Sequence, residues 1–125
     1  MPILNLQLVG DQHDYPDDLA SRVAQAAGSV LQSRPHGTWV SLAFIPANHY
    51  AENTSTEGRD ANPVSKPLIV SLLEADPPAG HNLQQQVSAL TQAIAEAANH
   101  PAENVHIIVE PAGRGRIAFG GTLVD

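Results

Sequence analysis

LIVSLL (Leu68–Leu73) is the stretch that decides the fold, because it starts again what ILNLQLV (Ile3–Val9) started. Both are short runs rich in β-forming residues, and each is followed by a helical pattern and another strand-like run. After Ile3–Val9, Asp14 announces a helix with Pro16 and the pair Asp17-Asp18 in its first turn, where carboxylates suit the helix dipole. Leu19, Val23, Ala27 and Val30 recur at helical spacing. The segment Ser33-Arg34-Pro35-His36-Gly37 breaks the pattern, and TWVSLAFI (Thr38–Ile45) reads as a strand stopped by Pro46. After Leu68–Leu73 the breaker is DPPAG, Asn82 and Gln85 have the spacing of a capping box, and Leu83, Val87, Leu90 and Ile94 line one helical face. Asn99-His100-Pro101 ends that helix and VHIIV (Val105–Val109) is a strand. Leu68 follows Ile3 by 65 positions, Leu83 follows Leu19 by 64 and Val105 follows Thr38 by 67.

The near-constant offset reads as a duplicated β-α-β unit. The expected architecture is one α/β (α+β) domain over residues 1–125. Its halves are about 2–46 and 67–111, with a long connection at 47–64 and a tail at 112–125. Each crossover should be right-handed with its two strands parallel, giving a four-stranded mixed sheet with two helices on one face. The other face is then bare. The second strand carries apolar residues on both sides, Val40, Leu42 and Phe44 on one and Trp39, Ala43 and Ile45 on the other. An exposed apolar face of that size predicts that other subunits cover it.

Composition removes several function classes. Net charge is −7, with Lys and Arg together only 6 and no basic run. That chain repels nucleic acid and anionic membrane surfaces. No apolar run approaches the roughly 20 residues that span a bilayer, and the amino terminus lacks the pattern of a signal peptide. There is no cysteine, hence no disulfide, thiolate site or cysteine nucleophile, which is compatible with a cytoplasmic location. The six histidines (13, 36, 49, 81, 100 and 106) form no i, i+4 pair on an expected helix, so no metal site is expected. GRGRIA (Gly113–Ala118) fits a dinucleotide fingerprint in letters only, because seven residues cannot supply the helix that holds the pyrophosphate. No G-x-S-x-G elbow occurs.

Two readings attach to Met1-Pro2. Proline donates no backbone hydrogen bond, so it suits the first position of a strand. If Met1 is removed, Pro2 instead carries a free secondary amine, a base or a nucleophile. Arg114 and Arg116 are a third of the chain's cations; they belong either to a solvated turn or to an anion site, since guanidinium matches carboxylate in bidentate geometry. His49, Tyr50 and Glu52 sit in the long polar connection, as hydrogen-bonding groups for an enolate oxygen or as anchors at a subunit contact.

The terminal proline, the two β-α-β units, the tail GRGRIAFGGTLV (Gly113–Val124) and the loop PANHYAEN (Pro46–Asn53) together resemble the tautomerase superfamily. Its members include macrophage migration inhibitory factor, 4-oxalocrotonate tautomerase and malonate semialdehyde decarboxylase. The resemblance implies a homotrimer with sites between subunits, no cofactor, a small carbonyl or enol substrate, and Pro2 as general base after loss of Met1. The role is chemically sound. An α-amino group titrates near ~8, and an apolar pocket lowers that value toward working pH. Trp39 and Phe119 match aromatic positions that line the family's pocket, and each equally suits a plain core; Arg116 and then Arg114 are its expected anion anchors, and Tyr50 and His49 are further substrate-binding candidates. The sequence departs from the decarboxylase pattern. Gly37 stands where an aspartate is expected, and Glu74 and Asp76 stand where two arginines are expected. The substrate-reading groups are therefore not carried over. The expected activity is that of a tautomerase-like isomerase. The alternatives are hydratase, dehalogenase or decarboxylase chemistry of the same superfamily, and a non-catalytic trimeric binding protein.

Overall fold

A computed structural model describes residues 1–53 and 66–125; residues 54–64 of the long connection lie outside the described residues. The elements run β1 (Ile3–Val9), α1 (Leu19–Leu31), β2 (Trp39–Ile45), β3 (Leu68–Leu73), α2 (Gly80–Ala98) and β4 (Val105–Val109). A short tail hairpin follows, with β5 (Ala118–Phe119) antiparallel to β6 (Thr122–Leu123).

The four long strands form one mixed sheet in the order β2-β1-β3-β4. Each half contributes a parallel pair, β1 with β2 and β3 with β4. The halves join through β1 and β3, which run antiparallel with Ile3 opposite Leu73 and Leu8 opposite Leu68. Strand residues alternate between faces. Leu4, Leu6 and Leu8 of β1 and Leu68, Val70 and Leu72 of β3 are fully buried on one face, against Leu19, Val23 and Ala27 of α1 and Leu90 and Ile94 of α2. The helices also touch each other, and Arg22 of α1 donates through Nε to the Ala97 carbonyl of α2 at 2.9 Å. Both helices therefore lie on that face.

Helix starts differ from the sequence reading. Asp14 does not open α1; Asp11 and Asp14 cap a separate 3-10 turn, Gln12–Asp14, and α1 begins only at Leu19 after Asp18. Tyr15 is tucked beneath that turn and donates to the Val9 carbonyl at 2.7 Å. Asn82 and Gln85 make no capping box, because α2 already starts at Gly80 after Ala79. Helix ends follow expectation: Gln32 and Asn99 take left-handed conformations (φ 54° and 52°) and their amides close the last turns.

The open face is also not what composition alone implied. Its residues are Ile3, Asn5 and Gln7 of β1, Trp39, Ser41, Ala43 and Ile45 of β2, Ile69, Ser71 and Leu73 of β3, and His106 and Ile108 of β4. Val40, Leu42 and Phe44 pack against the helix-side core. A polar row crosses the middle of the open face and is satisfied internally, with Ser41 donating to Asn5 at 2.6 Å and Ser71 donating to Glu110 at 3.1 Å. The apolar exposure is concentrated at Trp39 (45%) and Ile108 (53%) on the two edge strands.

Candidate active site at the start of β1

Pro2 has no N–H to offer the ladder, and it precedes the first residue of the central strand β1. Its carbonyl accepts from the Trp39 amide at 3.0 Å, which continues the β1–β2 pairing by one bond. The antiparallel register that sets Ile3 against Leu73 brings Glu74, the next residue of the neighbouring chain segment, level with Pro2. Three groups thus converge on one end of the sheet: the amino terminus, the indole edge of β2 and the carboxyl end of β3.

The tail crosses that end. Gly113 donates to the Glu74 carbonyl at 2.8 Å and Arg114 donates to the Ala75 carbonyl at 3.1 Å. Gly113 is buried, and a Cβ there would collide with the Ile117 side chain and press on the Glu74 carbonyl. Further on, Phe119 meets Trp39 edge-to-face with ring centroids 5.2 Å apart. The tail therefore runs from β4, past the end of β3, to the start of β2. Beneath it, on the open face, lies a cavity of about 570 Å³. Its floor is Ile3, Asn5, Ser71 and Leu73, and Glu110, Arg116 and Ile117 stand around it.

Arg116 lines this cavity and, among the described residues, forms no ion pair. Arg114 is placed differently. It makes a two-pronged ion pair with Asp76, with Nε to Oδ1 at 2.7 Å, and it donates to the Asp125 carbonyl at 2.5 Å. The hydrogen bonds and charge of Arg114 hold the Asp76 carboxyl below the usual range for an aspartate. Asp76 is thus compensated, not a bare repelling charge. Glu74 differs again. Burial pushes its carboxyl above the ordinary value, against the opposing pull of the Gln86 side chain (Nε2 to Oε1, 2.7 Å) and the nearby positive amino terminus.

His49 and Tyr50 follow β2, whose parallel pairing with β1 puts Ile45 beside Val9. Within one chain they lie at the far end of the sheet from Pro2. Tyr50 donates to Glu52 at 2.5 Å, and that bond, foremost, pushes its hydroxyl pKa up. His106 is exposed on the open face. Among the described residues no group of three or more His, Asp or Glu is placed to hold a metal ion. Asn5, Ser71 and Glu110 were not singled out in the sequence. Only the strand register shows them sharing a cavity, although alternation within each strand already placed Asn5 and Ser71 opposite the buried leucines.

No family model matches the chain, and no curated protein sequence does. Solved structures do. A fused 4-OT symmetric trimer superposes with a TM-score of 0.71 over 98% of this chain and 94% of that one, at 11% identity. Macrophage migration inhibitory factor from Trichinella spiralis gives 0.68 over 97% and 98%, at 16% identity. Malonate semialdehyde decarboxylase, described with decarboxylase and hydratase activities, gives 0.67 over 94% and 90%, at 12% identity. At such identities the likeness is one of architecture, and the chain has the fold that these tautomerase-superfamily structures share.

Proposed function

We propose that this protein is a cofactor-independent, cytoplasmic proton-transfer enzyme of the tautomerase kind, one domain over residues 1–125 working as a homotrimer. The acting group is the Pro2 amine, freed by removal of Met1. The observation that carries this reading is the position of Pro2. It is pinned at the start of the central strand by Trp39, one residue from Ile3 in the floor of a cavity that also holds Arg116.

The chemistry follows from those groups. The neutral amine takes a proton from the carbon α to a carbonyl, and the electron pair moves onto the carbonyl oxygen as an enolate. The ammonium then returns the proton to oxygen, giving the enol, or to another carbon of the conjugated system. Arg116 stabilises the developing oxyanion or binds a carboxylate of the substrate. Trp39 and Phe119 supply an apolar wall that disfavours the charged amine before substrate binds. Arg114 serves the site at one remove, by tying the tail to Asp76. His49 and Tyr50 reach a Pro2 site only if a neighbouring subunit presents them. The homotrimer finds support in the trimeric 4-OT structure of the same fold.

The test is an intact mass followed by keto–enol assays with phenylpyruvate. The expected mass lacks Met1, and the expected rate depends on Pro2. Wild-type turnover by a chain that keeps Met1 would overturn the reading, and a processed trimer without turnover on any enol substrate would leave a binding protein.

A second reading has its own observation. A carboxylate at Glu74, level with Pro2, favours the protonated amine, which suits hydratase, decarboxylase or dehalogenase chemistry. The decarboxylase and hydratase of the same fold supports that direction. The pH profile separates the two. Activity that rises as the amine loses its proton belongs to the base, and activity that falls belongs to the acid.

A further inference from the structure

Glu74 is a part-buried carboxyl at the end of the sheet where the chain starts. It closes β3 on the helix side of the sheet, in the alternation that buries Leu68, Val70 and Leu72. Gln86 of α2 grips its Oε1 at 2.7 Å, and among the described residues Oε2 has no hydrogen-bond partner. Glu110, which accepts from Ser71, and Arg116 stand around the cavity on the open face, the opposite face from Glu74. Asp76 and Arg114, in the loop and tail beyond, neutralise each other. The group that faces it from α2, Gln86, is neutral. From β1 comes the amino terminus.

We infer that Glu74 is the positioning residue of the Pro2 amine: Gln86 fixes the carboxylate, and its second oxygen accepts the amine's N–H across the β1–β3 pair. The inference rests on the reading of Pro2 as the acting amine. With Met1 present, the terminal nitrogen lies one residue beyond the level of Glu74. Removing Met1 brings it level, because Pro2 is the next position after the Ile3–Leu73 pair. A neutral secondary amine has one N–H and one lone pair. Holding the N–H fixes where the lone pair points, and a proline ring at a strand end has little else to fix it. The same carboxylate favours the ammonium form, as an opposite charge at close range does. Glu74 therefore sets both the direction and the charge of the amine. This is a different role from the repulsion of acidic substrates that its charge alone implies.

The test reads the amine directly and needs no substrate. Full-length protein labelled with nitrogen-15 proline is titrated by NMR, with intact mass confirming the loss of Met1. Glu74→Gln is expected to lower the midpoint of the Pro2 nitrogen by about 1 pH unit. Glu103→Gln, which removes a like charge at the start of β4 and so at the opposite end of the sheet, is expected to leave it in place. Glu74→Asp keeps the charge but retracts it by one methylene; it should give an intermediate midpoint and serves where Glu74→Gln does not fold. In turnover, Glu74→Gln should lower kcat and move the pH profile with the amine, with KM nearly constant. An unchanged midpoint in the Glu74 variants would overturn the inference while leaving Pro2 as the acting amine. A shifted midpoint in a protein without turnover would do the reverse. A chain that retains Met1 would overturn both.

Discussion

Pro2 and Arg116 carry different parts of the proposed chemistry, and their substitutions separate cleanly. Pro2 donates nothing to the ladder, and its one ladder contact, the carbonyl that accepts from Trp39, belongs to the backbone. Pro2→Ala should therefore leave thermal unfolding nearly unchanged. Proton transfer should fall by roughly 10² to 10⁴, the usual contribution of a positioned acid–base group. A primary amine retains some basicity, so residual turnover is expected. Arg116 is expected to act on charge. Arg116→Ala should raise KM for a monoanionic substrate about tenfold or more, and leave a neutral ketone almost unaffected, since only the anion loses a charge-assisted contact. Equal losses on the two substrates would assign Arg116 to structure. Malonate semialdehyde decarboxylation should be weak, because the arginine pair expected of that chemistry is replaced by Glu74 and Asp76. Asp76 is compensated by Arg114 and Glu74 is engaged by Gln86, so what is missing is the pair of cations that would anchor the acid group. Rapid decarboxylation by the wild type would show that the acid group is anchored without that pair.

At the scale of elements, the tail is the part whose attachment is chemical as much as hydrophobic. Gly113, Arg114 and the Asp76 pair hold it over the start of β1, and Gly115 and Val124 close it on itself with backbone bonds of 2.5 Å (to Val124) and 2.9 Å (to Ile117). Asp76 has a folded pKa below its ordinary 3.8. Its contribution is therefore present above that value and is lost as pH falls through the lower, folded one. Protection factors of the tail amides, taken against the intrinsic exchange rate at each pH, should fall in Asp76→Asn, and likewise in wild type when the pH drops below 3.8, while the β1–β3 ladder stays protected. Loss of protection in both at once would mean that tail and sheet open together. This attachment was not legible in the sequence, since Arg114 and Asp76 are 38 positions apart. The two β-α-β units were legible, because strands of period 2 and helices of period 3.6 each reveal themselves within about ten residues. Helix starts were not. Several acidic or amide residues near Asp14 and Asn82 offer caps worth only about 1 kcal/mol each. Docking of Leu19, Val23 and Ala27 on the sheet decides among them, and that is a tertiary choice. The same reason hides the site. Pro2 and the tail were readable as motifs, but the role of Glu74 depends on which residue of β3 stands opposite Ile3.

The whole molecule leaves two problems for one chain to solve. The edge strands β2 and β4 have backbone groups on their outer sides that no strand among the described residues pairs. The open face carries exposed apolar side chains at those same edges, while its centre is a self-satisfied polar row. A sheet of this kind is closed most economically by copies of itself. Edges and apolar margins are covered together, and the polar row needs no new partners. We expect a trimer by sedimentation or light scattering at micromolar concentration. Ile108→Lys, at an exposed site on an edge strand outside the folded core, should dissociate it with the circular dichroism of the subunit retained. Each subunit carries a charge of −7, so assembly brings like charges together. Added salt should therefore strengthen the trimer by screening that repulsion, and a pair-dominated polar interface would weaken instead. A stable wild-type monomer would contradict the proposed covering of the open face and the edges. A trimer indifferent to Ile108→Lys would mean that the contact lies on another surface, and the margins of the open face would then need a different occupant.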